Sequence, residues 1–312
     1  MCVSDPEWAV LQVFDALASL PFLNDLYLHC WSAPDPSLQL RWLPHLENLT
    51  LTCASWLGDY HNHSTIIPIA KLIGWSQPKL TSLSIIADHR HINDQNAPNL
   101  NDFLSETSKS SMFLNITHLS LKGLFVKLDA TLLPHLRSLI SLTTEGIFSP
   151  RDQVSGNQGA GISPGSVWSV LRSEKIHLQE IFTDDVQPAL IEYLTSFSGV
   201  RRLRLIRASS YRMLPLVSDQ LAIKFYERAL RNHVHSLDSL EIDAYYEGSW
   251  CFASHCSGII KKCTPLTFLE LPINSEDIAE EKDDKEDSSP SGDNAIVGVP
   301  TSVQLYASKL PV

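Results

Sequence analysis

The sequence predicts an α/β fold: an irregular repeat solenoid, with about nine short parallel strands on its concave side and helices or loops on its convex side. Three observations carry this expectation. A phrase of apolar, two residues, apolar, one residue, apolar recurs along most of the chain. Helical periodicity fills several of the gaps between copies. Hydrophobic residues make up 44% and charged residues 19% of the 312, enough apolar surface for a full core.

Residues 1–22 precede the first phrase, and Trp8 to Leu20 is apolar enough for a capping helix. The phrase then runs through residues 23–274. It reads Leu23-Leu26-Leu28, Leu46-Leu49-Leu51, Leu80-Leu83-Ile85 and Ile116-Leu119-Leu121. It resumes as Leu178-Ile181-Thr183, Val200-Leu203-Leu205, Leu237-Leu240-Ile242 and Leu266-Leu269-Leu271. A ninth copy falls at Leu136-Leu139-Ser141, because Leu133-Pro-His-Leu136 echoes Leu43-Pro-His-Leu46; the register Leu139-Leu142-Thr144 is the alternative. In each copy the second and third apolar positions point into the core. Two residues after the last apolar position, the next inward site holds Cys30, Cys53, Ala87, Gly123, Ala244 or Ile273. Asp185 and Arg207 break that rule with opposite charges, which predicts a mutually neutralised pair between adjacent repeats.

Helical signals lie between the strands. Ser64 to Trp75 places Ile66, Ile69, Ala70 and Ile73 on one face. Ser163-Pro164 reads as a cap and first-turn proline before Val167, Val170 and Leu171. Ser218 reads as the opening of a helix carrying Leu221, Ala222, Phe225 and Ala229.

The chain closes differently. Residues 275–298 form an acidic linker, in which Ser275 to Asn294 carries nine acids against two lysines. Low hydrophobicity with high charge predicts a solvated, unfolded segment. Residues 299–312 alternate Val303-Leu305-Ala307, the pattern of a terminal strand that covers the last repeat.

The repeated phrase resembles that of leucine-rich repeats, though the interval averages about 30 residues against roughly 20–29 in regular arrays. Leu20-Pro-Phe-Leu-Asn-Asp-Leu-Tyr-Leu28 and Leu43-Pro-His-Leu-Glu-Asn-Leu-Thr-Leu51 are most similar to the repeat region of fungal (basidiomycete) F-box proteins. In that family the repeats hold a substrate, and an F-box bundle docks on the Skp1-type adaptor of a ubiquitin ligase. The 22 residues before Leu23 contain no Leu-Pro-x-Glu opening. The resemblance therefore implies the substrate-binding half alone, with a Skp1-type adaptor as partner only if an F-box lies upstream.

Charge and motifs narrow the function. A formal net charge of −11 argues against affinity gained by neutralising phosphates, so no nucleic-acid partner is expected. No apolar run is long enough for a membrane span. Six sparse cysteines and an acidic N-terminus indicate a cytoplasmic or nuclear protein. Cys251, His255, Cys256 and Cys263 lack the spacing of a zinc module, and Phe252, Cys256, Ile259 and Cys263 read as a buried helical stripe. His61/His63, His89/His91 and His233/His235 read as surface pairs. Gly156 to Gly161 lacks the Lys-Ser/Thr of a phosphate loop. No catalytic motif appears, so neither enzyme activity nor any cofactor or metal is expected.

What remains is the strand face that leaves the core. It is polar, with scattered aromatic, isoleucine and charged positions. Tyr27, Phe182, Arg202, Arg204, Ile206, Glu241 and Phe268 are its candidate partner-binding residues, since exposed aromatics among Arg and acids have the composition of protein interfaces. The expected function is a non-enzymatic protein-protein interaction module binding an unidentified protein; a scaffold independent of any F-box is the alternative. Alignment of equal positions also predicts that Arg202 neighbours Glu180 and Arg204 neighbours Glu241.

Overall fold

A computed structural model of the chain describes residues 7–30, 43, 45–53, 66–76, 79–87, 99–107, 113–147, 166–209, 213–274 and 302–305. The chain divides into two compact units, Met1–Leu178 and Gln179–Val312.

The first unit opens with helix α1 (Glu7–Ala18) and strands β1 (Asp25–Cys30) and β2 (Asn48–Cys53). Helix α2 (Ile67–Trp75), β3 (Ser82–Ala87), the short α3 (Leu100–Phe103) and β4 (His118–Lys122) follow. A 3₁₀ turn (Leu133–Leu136), β5 (Ser141–Glu145) and α4 (Val167–Ser173) complete it. Strands β1 to β5 pair in sequence order, all parallel. The repeated phrase sets the register: Leu26, Leu49, Leu83, Leu119 and Leu142 lie side by side, as do Leu28, Leu51, Ile85, Leu121 and Thr144. From Leu49 to Thr144 these side chains are buried. Each inward Leu is worth about 1.5–3 kcal/mol by removal from water.

The second unit repeats the plan. It runs β6 (Glu180–Thr183), α5 (Pro188–Thr195), β7 (Arg202–Leu205) and α6 (Pro215–Lys224). A π-helical turn (Phe225–Ala229) and a 3₁₀ turn (Leu230–His233) extend α6, and β8 (Ser239–Ile242), α7 (Ser254–Ile260) and β9 (Phe268–Pro272) follow. Strands β6 to β9 are parallel. A tenth strand, β10 (Ser302–Leu305), is antiparallel to β9 and lies in the segment expected to cover the last repeat. The π turn has a physical role. It widens the helical period so that Phe225 and Tyr226, then Ala229 and Leu230, then His233 and Val234 are all buried. Tyr226 donates to the Trp250 carbonyl at 3.0 Å, and the Trp250 indole N–H donates to Ser218 Oγ at 3.1 Å.

Main-chain bonds step the repeats along. The carbonyl just before most strands accepts two successive N–H groups of the next repeat. Glu47 O takes Thr81 and Ser82, Thr81 O takes Thr117 and His118, and Arg201 O takes Asp238 and Ser239. This bifurcated ladder carries the register from strand to strand.

Several expectations are corrected. The copy near Leu136 takes the alternative register: Leu142 aligns with Leu119 and Thr144 with Leu121. The Leu-Pro-His-Leu echo marks a 3₁₀ turn there, so its leucines fall one step ahead of the strand. Helix α4 is capped by Ser166, whose side chain accepts from Ser169 N–H; Ser163-Pro164 lies outside the described residues. Helix α6 starts at Pro215, and Ser218 is buried inside it. In α7 Ile260 is buried and Ile259 only half-buried, because the helix begins after Phe252 and sets its own phase.

The buried-pair expectation for Asp185 and Arg207 also fails. Strand β7 ends at Leu205, and Arg207 turns away at φ 56°, exposed, with no ion pair to any described residue. Asp185 accepts from Gln187. The strand register is as expected, but the chain has left the sheet before the charged site is reached.

His233 is not a surface residue. It is 1% exposed, and its ring joins two repeats. Val200 N–H donates to Nδ1 at 3.3 Å, and Nε2 lies 3.0 Å from the Leu194 carbonyl. Nδ1 must accept, so the proton sits on Nε2 and the ring is neutral. Phe197 packs edge-on at 5.4 Å. His135 does the same in the first unit: Leu114 N–H donates to Nδ1 at 2.9 Å, Nε2 donates to Thr107 Oγ1 at 3.3 Å, and Phe113 lies edge-on at 5.5 Å. Burial lowers both pKa values, that of His233 to about 4. Residues 61–63 and 89–91 and the Gly156–Gly161 loop lie outside the described residues.

Candidate protein interface

Alternation gives each strand one buried and one outward face. The outward face differs between the units because the residues at the same repeat positions differ.

In the first unit it is mainly uncharged. Thr50, Ser84, Ser120 and Thr143 align across β2 to β5, beside Asn48, Ser82 and His118. Tyr27 stands at the β1 end, 59% exposed, with its hydroxyl 2.8 Å from Thr52 Oγ1. Asn48 donates to Asp25 at 2.6 Å across the β1–β2 pair. One ion pair closes the row, Lys122 Nζ to Glu145 Oε1 at 2.8 Å.

In the second unit the face is charged. Glu180 aligns with Arg202, and Phe182 with Arg204, across β6 and β7; Arg204 aligns with Glu241, and Ser239 with Phe268, across β7 to β9. Arg202 Nε donates to Glu180 Oε1 at 3.0 Å. Arg204 Nε lies 3.1 Å from Glu241 Oε2. Below them Arg201 Nη2 reaches Asp238 Oδ2 at 3.2 Å. Both expected ladder pairs are therefore present. Such pairs are worth about 0–1 kcal/mol each while their arginines stay half in water. About half of each side chain, 54% for Arg202 and 52% for Arg204, remains accessible.

Five of the candidates thus share adjoining strands: Phe182, Arg202, Arg204, Glu241 and Phe268. Phe182, Glu241 and Phe268 are half-buried, so their outer edges are open. Ile206 is half-buried in the turn after β7, its N–H donating to Thr183 O at 2.8 Å. Tyr27 belongs to the first unit and is not on these strands.

Sequence reasoning missed an exposed apolar pair. Leu214 and Leu216 flank Pro215 at the start of α6 and are each 71% exposed. The Leu-Pro-Leu spelling was the only signal, and it reads equally well as core.

The cysteine cluster is packing. Cys251, Cys256 and Cys263 are buried thiols, while His255 points out and reaches the Ser249 carbonyl at 2.9 Å. Burial pushes the Cys263 thiol up to about 11, which leaves it a poor thiolate. Among the described residues no group of three or more His, Cys, Asp or Glu could hold a metal, and no helix is long and apolar enough to cross a membrane.

Comparison with family models, curated proteins and solved structures finds no match to this chain.

Proposed function

We propose that this chain is a non-enzymatic protein-binding module built as a leucine-rich repeat solenoid, similar to the substrate-binding half of a fungal F-box protein. One observation carries the reading. Phe182, Arg202, Arg204, Glu241 and Phe268 occupy neighbouring outward positions on in-register strands. Half-exposed guanidiniums beside aromatic edges are the composition of interface hot spots. The partner is a protein, and the compartment is cytoplasm or nucleus.

A scaffold role is the second reading, favoured by the two ion pairs that already engage Arg202 and Arg204. Quantitative affinity capture separates the two. Wild type is compared with Arg202→Glu/Arg204→Glu and with an Arg228→Glu/Arg231→Glu control at exposed positions of the π-helical and 3₁₀ turns. A partner lost only with the face variant, and then bound directly by the purified wild type, supports the module. An unchanged partner set overturns it. Purified Skp1-type adaptor should not bind the 312-residue chain; a stable complex would mean that a docking helix carries the ligase role.

A further inference from the structure

We infer that the edge of β9 away from β8 is a strand-binding site for an extended, uncharged segment of a partner protein bearing two aliphatic residues two positions apart, and that β10 is its displaceable resident. This is independent of the sheet-face reading.

The two edges of β9 are filled differently. On the β8 side only Phe268, Leu269 and Glu270 are paired with the strand. Beyond them Phe252 takes over, donating its N–H to Pro272 O at 2.7 Å and bridging to Ile273. Among the described residues the other edge pairs only with β10, over four residues and antiparallel, in contrast to the parallel array that precedes it. Leu269 and Leu271 lie on the inward positions of the last repeat, where no further parallel strand follows among the described residues.

The resident strand reports what the edge accepts. Val303 is paired with Leu271 and Leu305 with Leu269, while Ser302 and Gln304 are paired with Pro272 and Glu270. In this register the sequence paired with the two leucines carries an aliphatic residue at every second position. No residue of the four carries a charge.

The resident is also held on a long connection. Residues 273–301 separate Pro272 from Ser302, and they include the nine acids of 275–294. Closing a loop of this length opposes pairing entropically, and a lone four-residue pairing contributes little. Such a tether still supplies the strand at roughly millimolar effective concentration. A second copy of this chain would bring an identical strand, gaining no contact and forfeiting that tether. A partner with a longer strand, or with added contacts on the second unit, gains what β10 lacks.

The probe is a fluorescent peptide of the sequence Pro300–Ala307, titrated by anisotropy into the full chain. Val303→Asp/Leu305→Asp removes the resident. It should bind the peptide at least about tenfold more tightly than wild type, since apparent affinity scales with the fraction of vacant sites. Glu270→Cys/Gln304→Cys joins two register partners whose Cα separation, about 4.5–5.5 Å in antiparallel pairs, suits a disulfide. Oxidised, this variant should exclude the peptide; reduced, it should bind like wild type. The lock keeps the native cap, so it tests the idea even if the double Asp variant fails to fold. Equal binding by the locked and reduced forms, or no binding by any form, overturns the inference. So does a wild-type dimer at micromolar concentration that excludes the peptide, which would make a second copy the occupant.

Discussion

The main-chain N–H of Val200 donates to Nδ1 of His233 at 3.3 Å, across the boundary between successive repeats. A proton added to Nδ1 would face that donor, so the contact exists only with neutral imidazole. Burial accordingly lowers the His233 pKa from 6.5 to about 4. Above pH 6.5 both folded and unfolded rings are neutral, and the residue adds no pH dependence. Between pH 6.5 and 4 the unfolded chain binds a proton that the folded chain refuses, so stability falls with pH by up to about 3 kcal/mol. Below pH 4 the loss from this residue is complete. Urea unfolding of wild type and His233→Gln across pH 4–7 checks this: the variant's curve should be the flatter. Parallel curves would mean that the ring is protonated in the fold.

Leu119 sits between Leu83 and Leu142 at the centre of β3–β5, 3% exposed. Leu119→Asp should cost several kcal/mol, comparable with the stability of a domain. Its neighbour Ser120 is on the outward face, so Ser120→Asp should change stability by about 0.5 kcal/mol or less. Thermal melting of the pair checks both. A Leu119→Asp variant that melts with wild type would mean that the inward face has been misassigned.

These contrasts explain how much of the fold was legible. Period-two alternation fixes which side of a strand is buried, and its inward leucines and isoleucines are buried from Leu49 to Ile242 because a one-residue slip would expose a whole row of them; in β9 the alternation lapses, with Leu269 half-buried and Pro272 buried. It says nothing about where a strand stops. Arg207 was misread because β7 ends two residues earlier, and no local residue announces that turn. Leu133-Pro-His-Leu136 was misread because a 3₁₀ turn and a strand entry can share one spelling. His233 was misread because its partners, Leu194 and Val200, are far away in sequence. On the outward face the ladder pairs of Arg202 and Arg204 followed from alignment alone, whereas the exposure of Leu214 and Leu216 depends on how α6 packs.

The turn at Arg207 can be improved. A non-glycine residue at φ 56° holds a left-handed conformation, which costs an L-residue roughly 1–2 kcal/mol. Glycine removes that strain but gains freedom in the unfolded chain. Arg207→Gly should therefore stabilise by roughly 0.5–1 kcal/mol, raising Tm by about 1–2 °C. Arg207→Val, β-branched, should destabilise. Lys175, at φ 55°, provides an independent repeat of the glycine substitution. A glycine variant less stable than wild type at both sites would show that the two side chains contribute contacts that outweigh the strain.

Deleting Ser275–Asn294 tests the acidic connection. It shortens the loop between Pro272 and Ser302 from 29 residues to nine, still long enough to join antiparallel neighbours. The segment was read as solvated, so its removal should leave the melting temperature nearly unchanged. Loop closure should become easier by about 1 kcal/mol, from the logarithm of the length ratio. That gain belongs to β10 alone. Hydrogen exchange at Leu269 to Leu271 should slow, and the Pro300–Ala307 peptide should bind the shortened chain several-fold more weakly than wild type. A drop in Tm of more than about 4 °C, roughly 2 kcal/mol for a chain of this size, would mean instead that the acidic segment docks on the folded chain and is part of its stability.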